Sequence, residues 1–320
     1  MIVVTGGCGF IGSRILEELF KRGYNEKVVV VDYLNDDNVK KISKFSIYDW
    51  MEPDYFLSNS RKLIKDADCI FHQGAITDTT HPNPKEVMRM NYNYTKSLIS
   101  SCIVNKTKIV YASSAAIYGH GENGFKEEED CEAPLNVYGF SKSLVDNWLR
   151  QSKIFSTNYE IYGLRYFNVY GMGEEHKLGM SSPVYKFFND AISLDKDIKI
   201  FKGSHKFYRD FVAVEDVVNV NLSCAFGEID PGIYNVGSGK KISFKKVAKI
   251  TQEHFSEEEV DISTIDFPEK LKGRYQDNTH ANLVKLRSAG YKEKMIDPEV
   301  GIKKYLLDLD LARKNEDSIY

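Results

Sequence analysis

The stretch Met1–Gly12, MIVVTGGCGFIG, joins a short β-branched run to three glycines, Gly6, Gly9 and Gly12. Asp32 closes a second apolar run, 20 residues after Gly12. This order of strand, tight turn, helix, strand and acid is typical of a dinucleotide-binding unit. In such a unit the first glycine permits the turn, the second lets the backbone approach a pyrophosphate, and the third lets the helix pack on the strand. The stretch therefore predicts the start of an α/β fold that binds a dinucleotide.

An amphipathic helix is predicted for Ser13–Arg22, directly after the glycines. Its N-terminus would offer N–H groups and the positive end of the helix dipole to phosphates, and Asp32 would accept hydrogen bonds from the adenosine ribose. The alternative is a glycine-rich turn that binds no ligand. The strand before the turn, the helix after it and the acid at the expected distance favour the dinucleotide interpretation.

Composition excludes several classes of protein. The chain has 320 residues, 42% of them hydrophobic and 28% charged, which is typical of a well-packed globular protein. A net charge of -3 gives no reason to expect nucleic acid, and no apolar run approaches the roughly 20 residues that span a bilayer. The chain is predicted to enter a strand at once, so we expect no signal peptide. The five cysteines show no CxxC spacing, so we expect reduced thiols, no metal site and a cytoplasmic location.

Short strands alternate with helices through the first half. Strands are predicted at Cys69–His72 and Lys108–Ala112, with a helix from about residue 84 to 105 between them. This alternation predicts a Rossmann-like, doubly wound parallel sheet, in which ligands bind at the carboxyl ends of the strands. The turn at Gly74-Ala75 and the pair Ser113-Ser114 follow two such strands.

The second half is less regular. A strand is predicted at Glu160–Arg165, and the apolar runs at 211–214 and 233–236 are interpreted as elements that return to the first domain. We therefore expect a discontinuous dinucleotide-binding domain, made of residues 1–167 plus about 211–238. A smaller mixed α/β domain, about 168–210 plus 239–320, would bind the substrate.

A tyrosine and a lysine, Tyr138 and Lys142, stand four residues apart, which places both on one face of a helix. A phenol has a pKa near 10 and is a poor base at neutral pH, but a nearby ammonium favours the phenolate. Ser114, at a strand end, could bond the same substrate hydroxyl. This spacing also occurs on ordinary surface helices. Its conjunction with the glycine turn and Ser114 favours a proton-transfer site.

Six motifs resemble the extended short-chain dehydrogenase/reductase superfamily, and in particular its nucleotide-sugar branch. They are TGGCGFIG at the start, YASSAAIYG at 111–119, YGFSK at 138–142, RYFNVYG at 165–171, RDFV at 209–212 and YNVGSGK at 234–240. Four longer stretches, PLNVYGFSK, EEHKLGMSS, FKGSHKFYRDFV and FPEKLKGRYQ, are similar to the ADP-glyceromanno-heptose 6-epimerase family. The resemblance runs from residue 1 to about residue 305.

The resemblance implies a redox epimerisation. ADP-D-glycero-β-D-manno-heptose and its L-glycero epimer would be interconverted by oxidation at C6 to a ketone and re-reduction on the other face, supplying the heptose of lipopolysaccharide core. Tyr138 and Lys177 would handle protons on the two sides of C6, with Ser114 beside them. Lys142 would hold the nicotinamide ribose and tune Tyr138. Spacing alone would make Lys177 a solvent-facing loop lysine, and the family match reverses that interpretation.

The resemblance also implies binding residues. Those for the cofactor are Gly6, Gly9, Phe10, Ile11, Gly12, Asp32, Tyr33, Gln73, Gly74, Ala75, Ile76, Thr77, Asn91, Lys142, Val169 and Lys177. Those for the substrate, a nucleotide-diphosphate-sugar of the ADP-heptose type, are Asn168, Gly179, Lys186, Phe201, Lys202, Gly203, Ser204, Arg209 and Tyr275. Family members form homo-oligomers, often pentamers, so the same assembly is expected here.

The cofactor implied by the resemblance is NADP, one per subunit and tightly bound. The residues near the ribose leave NAD open, because Asp32 and the acidic loop at 33–37 suit a free ribose diol. Lys40, Lys41 and Lys44 come slightly later in the chain.

Two other functions remain as alternatives. A different nucleotide-sugar epimerase or dehydratase shares the fold, but a dehydratase would carry an Asp-Glu pair where Ala115-Ala116 follow Ser114. A dinucleotide-sensing scaffold without catalysis would be expected to lose the tyrosine or the lysine, whereas this chain keeps Tyr138 and Lys142.

Overall fold

A computed structural model describes residues 1–24, 27–269, 273 and 275–317, and the strands of this part of the chain form three sheets. In chain order the strands are β1 (Ile2–Thr5), β2 (Val28–Val31), β3 (Asp49–Met51), β4 (Cys69–His72), β5 (Lys108–Ser114), β6 (Ile161–Tyr166), β7 (Asn168–Tyr170), β8 (Asp197–Phe201), β9 (Tyr208–Ala213), β10 (Gly232–Val236), β11 (Lys241–Ser243) and β12 (Asp261–Ile265). The largest sheet has seven strands, all of them parallel.

The α-helices cover both faces of that sheet and build most of the smaller part. They are α1 (Phe10–Lys21), α2 (Asp36–Ile42), α3 (Pro53–Leu63), α4 (Pro84–Val87), α5 (Thr95–Asn105), α6 (Val137–Gln151), α7 (Pro183–Ile192), α8 (Val214–Ala225), α9 (Phe244–His254), α10 (Val284–Ser288) and α11 (Pro298–Asp317). No helix of the described residues combines the length and the apolar character needed to cross a membrane.

The strand order β10-β6-β5-β4-β1-β2-β3 confirms the doubly wound, Rossmann-like prediction. The order reverses direction between β1 and β4, whose ends are in register at Thr5 and His72. In open parallel sheets the ligand crevice opens at this switch point, outside the carboxyl ends of the strands. The glycine turn follows β1 and Gly74-Ala75 follows β4, so both lie at the crevice.

Apolar runs explain why these strands are central. Val28–Val31 is buried at every position, as parallel strands covered on both faces require. One core lies between the sheet and helices α1 and α8, with Leu16 and Val217 among its residues. A second core lies on the opposite face, where Phe56 of α3 and Leu98 of α5 pack.

Several element boundaries differ from the sequence predictions; β6, for example, runs Ile161–Tyr166 rather than Glu160–Arg165. Helix α1 begins at Phe10 rather than Ser13, because Gly9 already serves as the extended N-cap residue. Strand β5 continues beyond Ala112 to Ser114, so Ser113 and Ser114 are strand residues. The helix predicted for 84–105 contains a π-helical segment, Met88–Tyr94, between α4 and α5.

The run at 211–214, predicted to return to the first domain, covers the end of strand β9 and the start of helix α8. Strand β9 pairs with β7 and β11 in a three-stranded sheet, whereas α8, which follows it, packs against the large sheet. Strand β10 joins the edge of the large sheet beside β6, as predicted for 233–236. Strands β8 and β12 form a separate pair. Helices α7, α9 and α11 enclose the core of this smaller part.

Candidate active site

Two glycines make the turn after β1 close-packed. Gly6 has a positive φ of 68°, and a Cβ there would lie 2.5 Å from the backbone nitrogen of Gly74. A Cβ at Gly12 would lie 2.1 Å from the carbonyl oxygen of Gly6. Helix α1 starts above this turn with no side-chain cap and no acidic residue in its first turn. Its N-terminus therefore suits an anionic group such as a pyrophosphate.

Asp32 lies at the end of β2, beside the turn. Its carboxylate accepts one hydrogen bond from the Cys8 N–H at 2.8 Å and one from the Tyr33 N–H at 2.9 Å. Burial raises the pKa of Asp32, and these hydrogen bonds oppose the rise. The residue borders a cavity of about 290 Å³ at the carboxyl ends of β1, β2 and β4. Other predicted cofactor residues that line this cavity are Gly6, Tyr33, Gly74, Ala75 and Ile76.

Lys41, on α2, is a feature that the predicted site did not include. Its Nζ atom is buried and has no hydrogen-bond partner among the described residues. Burial lowers the pKa of Lys41, while the charges of Glu175, Cys8 and Asp32 oppose that shift. The Lys41 ammonium, which feels the charge of Asp32, is therefore available to an anion. The lysines after the acidic loop were visible in the sequence, but their spacing did not identify which of them has a buried side-chain nitrogen.

A second cavity, of about 230 Å³, contains all four predicted catalytic residues in its lining. Predicted site residues that line it are Phe10, Ile11, Gln73, Ala75, Thr77, Ser114, Tyr138, Lys142, Asn168, Val169 and Lys177. These residues come from the start of α1, from the ends of β4 and β5, from α6 and β7, and from a 3₁₀-helix at Glu175–Met180. The fold thus gathers a dinucleotide turn, a Ser-Tyr-Lys set and a second lysine around one space.

Tyr138 and Lys142 lie in the first two turns of α6. Burial raises the pKa of the Tyr138 phenol, and its hydrogen bond with the Ser114 side chain opposes that rise. Lys142 is buried and donates to the Ala112 carbonyl oxygen at 2.8 Å. Burial lowers the pKa of Lys142 to about 8, against the opposing charge of Asp146. The ammonium form therefore predominates at neutral pH and can stabilise a phenolate.

Lys177 approaches the cavity from the other half of the chain. Its Nζ lies 5.3 Å from the centroid of the Phe10 ring, at the start of α1. Burial lowers the pKa of Lys177, Glu174 opposes the shift, and Lys186 adds to it. A lysine with a lowered pKa can give and accept protons nearer to neutral pH.

Glu174 fixes the segment that carries Lys177. Its buried carboxylate accepts hydrogen bonds from the backbone N–H and the hydroxyl of Ser182, the latter at 2.7 Å. It also accepts one from the Gly171 N–H at 3.4 Å. The two ends of the segment are thus tied together, and a 3₁₀-helix, Glu175–Met180, spans the middle.

His72, at the end of β4, is buried and structural. Its Nδ1 lies 2.6 Å from the Thr5 hydroxyl oxygen and its Nε2 lies 2.8 Å from that of Thr95. Burial lowers the pKa of His72 to about 3, and the charge of Lys142 adds to the effect. The folded protein therefore keeps this imidazole neutral.

His72 should make the protein sensitive to acid. Between its ordinary pKa of about 6.5 and its folded pKa of about 3, the unfolded chain binds a proton that the folded chain does not. The free energy of unfolding should fall by about 1.4 kcal/mol for each pH unit well below 6.5. Chemical denaturation at pH about 7.5 and about 5 measures this loss. His72→Gln should reduce it, whereas His205→Gln, at an exposed histidine, should leave it; equal acid sensitivity in both variants would contradict the assignment.

Some predicted cofactor residues lie behind the cavities. Gly9, Gly12 and Asn91 are absent from both linings. The Asn91 amide is fully buried and bonds the backbone of Ile76, accepting from its N–H at 2.8 Å and donating to its carbonyl oxygen at 2.9 Å. Asn91 thus holds the loop after β4 in place.

The predicted substrate residues divide into two groups. Asn168 lines the second cavity, and near it Lys186 donates to the Gly179 carbonyl oxygen at 2.7 Å. Residues 201–204, Arg209 and Tyr275 line neither cavity. The Arg209 guanidinium instead lies over the Tyr275 ring, 5.0 Å from its centroid. Within the FPEKLKGRYQ motif, residues 270–272 and 274 lie outside the described part of the chain.

Comparison with known proteins shows the family. Residues 2–237 match the sequence model of the NAD dependent epimerase/dehydratase family. The ADP-L-glycero-D-manno-heptose-6-epimerase of Brachyspira hyodysenteriae is 42% identical over 315 residues, which cover 95% of this chain and 96% of the relative.

Solved structures agree with the fold. The ADP-L-glycero-D-manno-heptose-6-epimerase of Helicobacter pylori superposes with a TM-score of 0.82 and 30% identity, over 97% of this chain and 96% of that one. The UDP-N-acetylglucosamine 4-epimerase of Methanobrevibacter ruminantium gives a TM-score of 0.81 at 24% identity, over 97% and 98% of the two chains. The second likeness bears on the fold alone.

Proposed function

The chain belongs to the NAD dependent epimerase/dehydratase family, and we propose that it interconverts the two C6 epimers of ADP-glyceromanno-heptose. The observation that carries this proposal is the shared cavity of Tyr138 and Lys177, two proton-handling groups on different elements of the fold. An epimerase that works through a ketone must remove and return a hydroxyl proton on either side of one carbon. Two such groups meet that requirement, whereas a one-sided reductase needs only one.

The residues at the glycine turn fit a nicotinamide dinucleotide. A pyrophosphate would lie at the uncapped start of α1, a ribose beside Asp32, and the nicotinamide end near Lys142. A bound nicotinamide would supply hydride-transfer chemistry, by which C6 could be oxidised to a ketone and the ketone re-reduced on its opposite face.

The chain's own residues would manage the protons. Tyr138, hydrogen-bonded to Ser114, would take the C6 hydroxyl proton of one epimer. Lys177 would do the same for the other epimer. Lys142 would stay charged below pH of about 8 and so favour the Tyr138 phenolate.

The decisive assay uses purified protein and ADP-D-glycero-D-manno-heptose. Chromatographic separation of the C6 epimers should show conversion towards an equilibrium mixture, without net oxidation or reduction. UDP-glucose, incubated in parallel, should not be epimerised. Absence of heptose interconversion with both NADP and NAD supplied would overturn the proposal, and conversion of UDP-glucose alone would assign the protein to another epimerase.

We propose NADP as the cofactor, with Lys41 as the partner of its 2′-phosphate. The orphaned, buried Nζ of Lys41 beside Asp32 supports this choice, because a phosphate would neutralise it. Lys41→Met should weaken NADP binding by about tenfold to 100-fold and change NAD binding little. Fluorescence titration with the reduced cofactors measures both affinities, and Lys40→Met, at an exposed neighbour, is the matched control. Equal losses for the two cofactors, or tighter binding of NAD by the unaltered protein, would contradict the choice.

The proposed enzyme would work as a homo-oligomer in the cytoplasm. The five buried, unpaired cysteines support a reducing compartment. The division into residues 1–167 plus about 211–238 and about 168–210 plus 239–320 also stands as a proposal. It is supported by the separate apolar core around α7, α9 and α11. In contrast, Leu286 of α10 packs into the core of the large sheet.

A further inference from the structure

A buried carboxylate lies one helical turn beyond Lys142. Asp146 has no exposed surface, and it shares a face of α6 with Lys142 because the two are four residues apart. Lys142 donates to the Ala112 carbonyl oxygen, and Ala112 is the β5 residue between Tyr111 and Ser113.

Both of those neighbours donate to Asp146. The Tyr111 hydroxyl donates to Oδ1 at 2.8 Å and the Ser113 hydroxyl donates to Oδ2 at 3.0 Å. Tyr111 can reach because its partner on β6 is Gly163, where a Cβ would lie 2.4 Å from the Tyr111 hydroxyl oxygen. The carboxylate thus binds β5 on both sides of the Ala112 carbonyl, which accepts from Lys142 two residues before Ser114.

A buried arginine completes this group. Arg165, the β6 partner of Ser113, donates from Nε to Asp146 Oδ2 at 2.8 Å. Its other nitrogens bond the Tyr118 hydroxyl at 2.9 Å and the carboxylate of Glu132. Glu132 is held in turn by Arg150 at 2.7 Å. The group therefore contains two carboxylates paired with Arg165, of which only Asp146 lies next to Lys142.

We propose that Asp146 is a positioning residue for the Tyr138–Lys142 pair, tying the end of β5 to α6 and keeping a negative charge beside the Lys142 ammonium. This rests on the proposed function, in which Tyr138 and Lys142 move and hold protons. Removal of the charge makes the ammonium less favourable, so Lys142 loses its proton at lower pH. The phenolate of Tyr138 then loses its supporting charge in the same range.

Other titratable and charged groups also lie around Tyr138 and Lys142. Tyr138 belongs to the same helix, His72 faces Lys142 from β4 and stays neutral, and Lys177 faces it across the cavity. Arg165 adds a positive charge, which is paired with the Asp146 carboxylate. None of these groups changes in an Asp146→Asn variant, which keeps an oxygen that Arg165 can bond.

The test compares Asp146→Asn with Glu132→Gln, since each variant removes one carboxylate charge from Arg165. The alkaline limb of the kcat–pH profile should move down by about 1 pH unit in Asp146→Asn and stay in place in Glu132→Gln. A purely structural role would lower kcat or the melting temperature in both variants without moving the limb. An unmoved limb in folded Asp146→Asn, or an equal movement in Glu132→Gln, would overturn the proposal.

A second measurement separates this inference from the proposed function. The affinity for NADPH against pH, measured by fluorescence without any sugar, should show the same downward movement in Asp146→Asn because Lys142 would hold the nicotinamide ribose. This change in the pH dependence of NADPH affinity is expected even if the heptose assay detects no epimerisation. If Asp146→Asn does not fold, the double variant Tyr111→Phe/Ser113→Ala decides. It should lower kcat, or NADPH affinity in the absence of a working heptose assay, by about tenfold at temperatures where the variant is folded, and unchanged values would overturn the proposal.

Discussion

Tyr138→Phe and Lys177→Met are each expected to slow epimerisation by about 10³-fold while cofactor binding survives. Each variant removes one of the two groups that would exchange a proton with the C6 hydroxyl, and a full cycle needs both. Separation of the C6 epimers over time measures the rate, and fluorescence titration measures the cofactor affinity. Lys199→Met, at an exposed lysine of β8, removes the same charge and should keep the full rate.

A single-turnover version makes this prediction sharper. If each group serves one epimer, Tyr138→Phe should still reduce the bound cofactor with one epimer, and Lys177→Met should do so with the other. The absorbance of the reduced nicotinamide reports this half-reaction. Near-normal epimerisation by Lys177→Met would show that the lysine is not the second base. Loss of the half-reaction with both epimers in both variants would mean that the two groups act as one unit.

Gly12→Ala is the second substitution with a large expected effect. The new Cβ would lie 2.1 Å from the Gly6 carbonyl oxygen and 2.8 Å from the Gly6 carbonyl carbon. Both atoms belong to the backbone, so α1 would have to move away from the turn. Overpacking of this kind costs about 1–3 kcal/mol of the free energy of unfolding, and the displaced helix start should weaken NADPH binding by at least about tenfold.

Chemical denaturation and NADPH titration measure the two effects of Gly12→Ala. Gly179→Ala is a stability control, since a Cβ at Gly179 meets no atom of the described residues within 4 Å and should leave the free energy of unfolding nearly unchanged. A native-like free energy of unfolding in Gly12→Ala would mean that the turn has more room than its backbone distances indicate.

The cofactor turn could be predicted from sequence because its determinants are local. Gly6, Gly12 and Asp32 follow each other at fixed spacing, and the strand order around them obeys general rules for parallel sheets. The second cavity could also be predicted as far as Tyr138 and Lys142, which share one helix. Lys177 required the family resemblance, because no local spacing brings it to the cavity.

Other parts of the site depend on contacts between distant residues. Asp146 and Arg165 are 19 residues apart and meet only because α6 packs across β5 and β6. A helix-periodic carboxylate four residues after Lys142 and an arginine in an apolar strand were visible signals, but neither identifies its partner. The inward direction of Lys41 depends in the same way on packing around α2. The sheet to which strand β9 belongs could not be predicted, because an apolar run does not specify which sheet it joins.

The contacts of Glu174 with Gly171 and Ser182 have a kinetic consequence. They hold the two ends of this segment together, so the backbone that carries the proposed second base is already ordered when the protein folds. Substrate binding then need not supply that ordering free energy, and the base is preorganised rather than recruited. Turnover is accordingly expected not to require a separate step that orders this segment over the sugar.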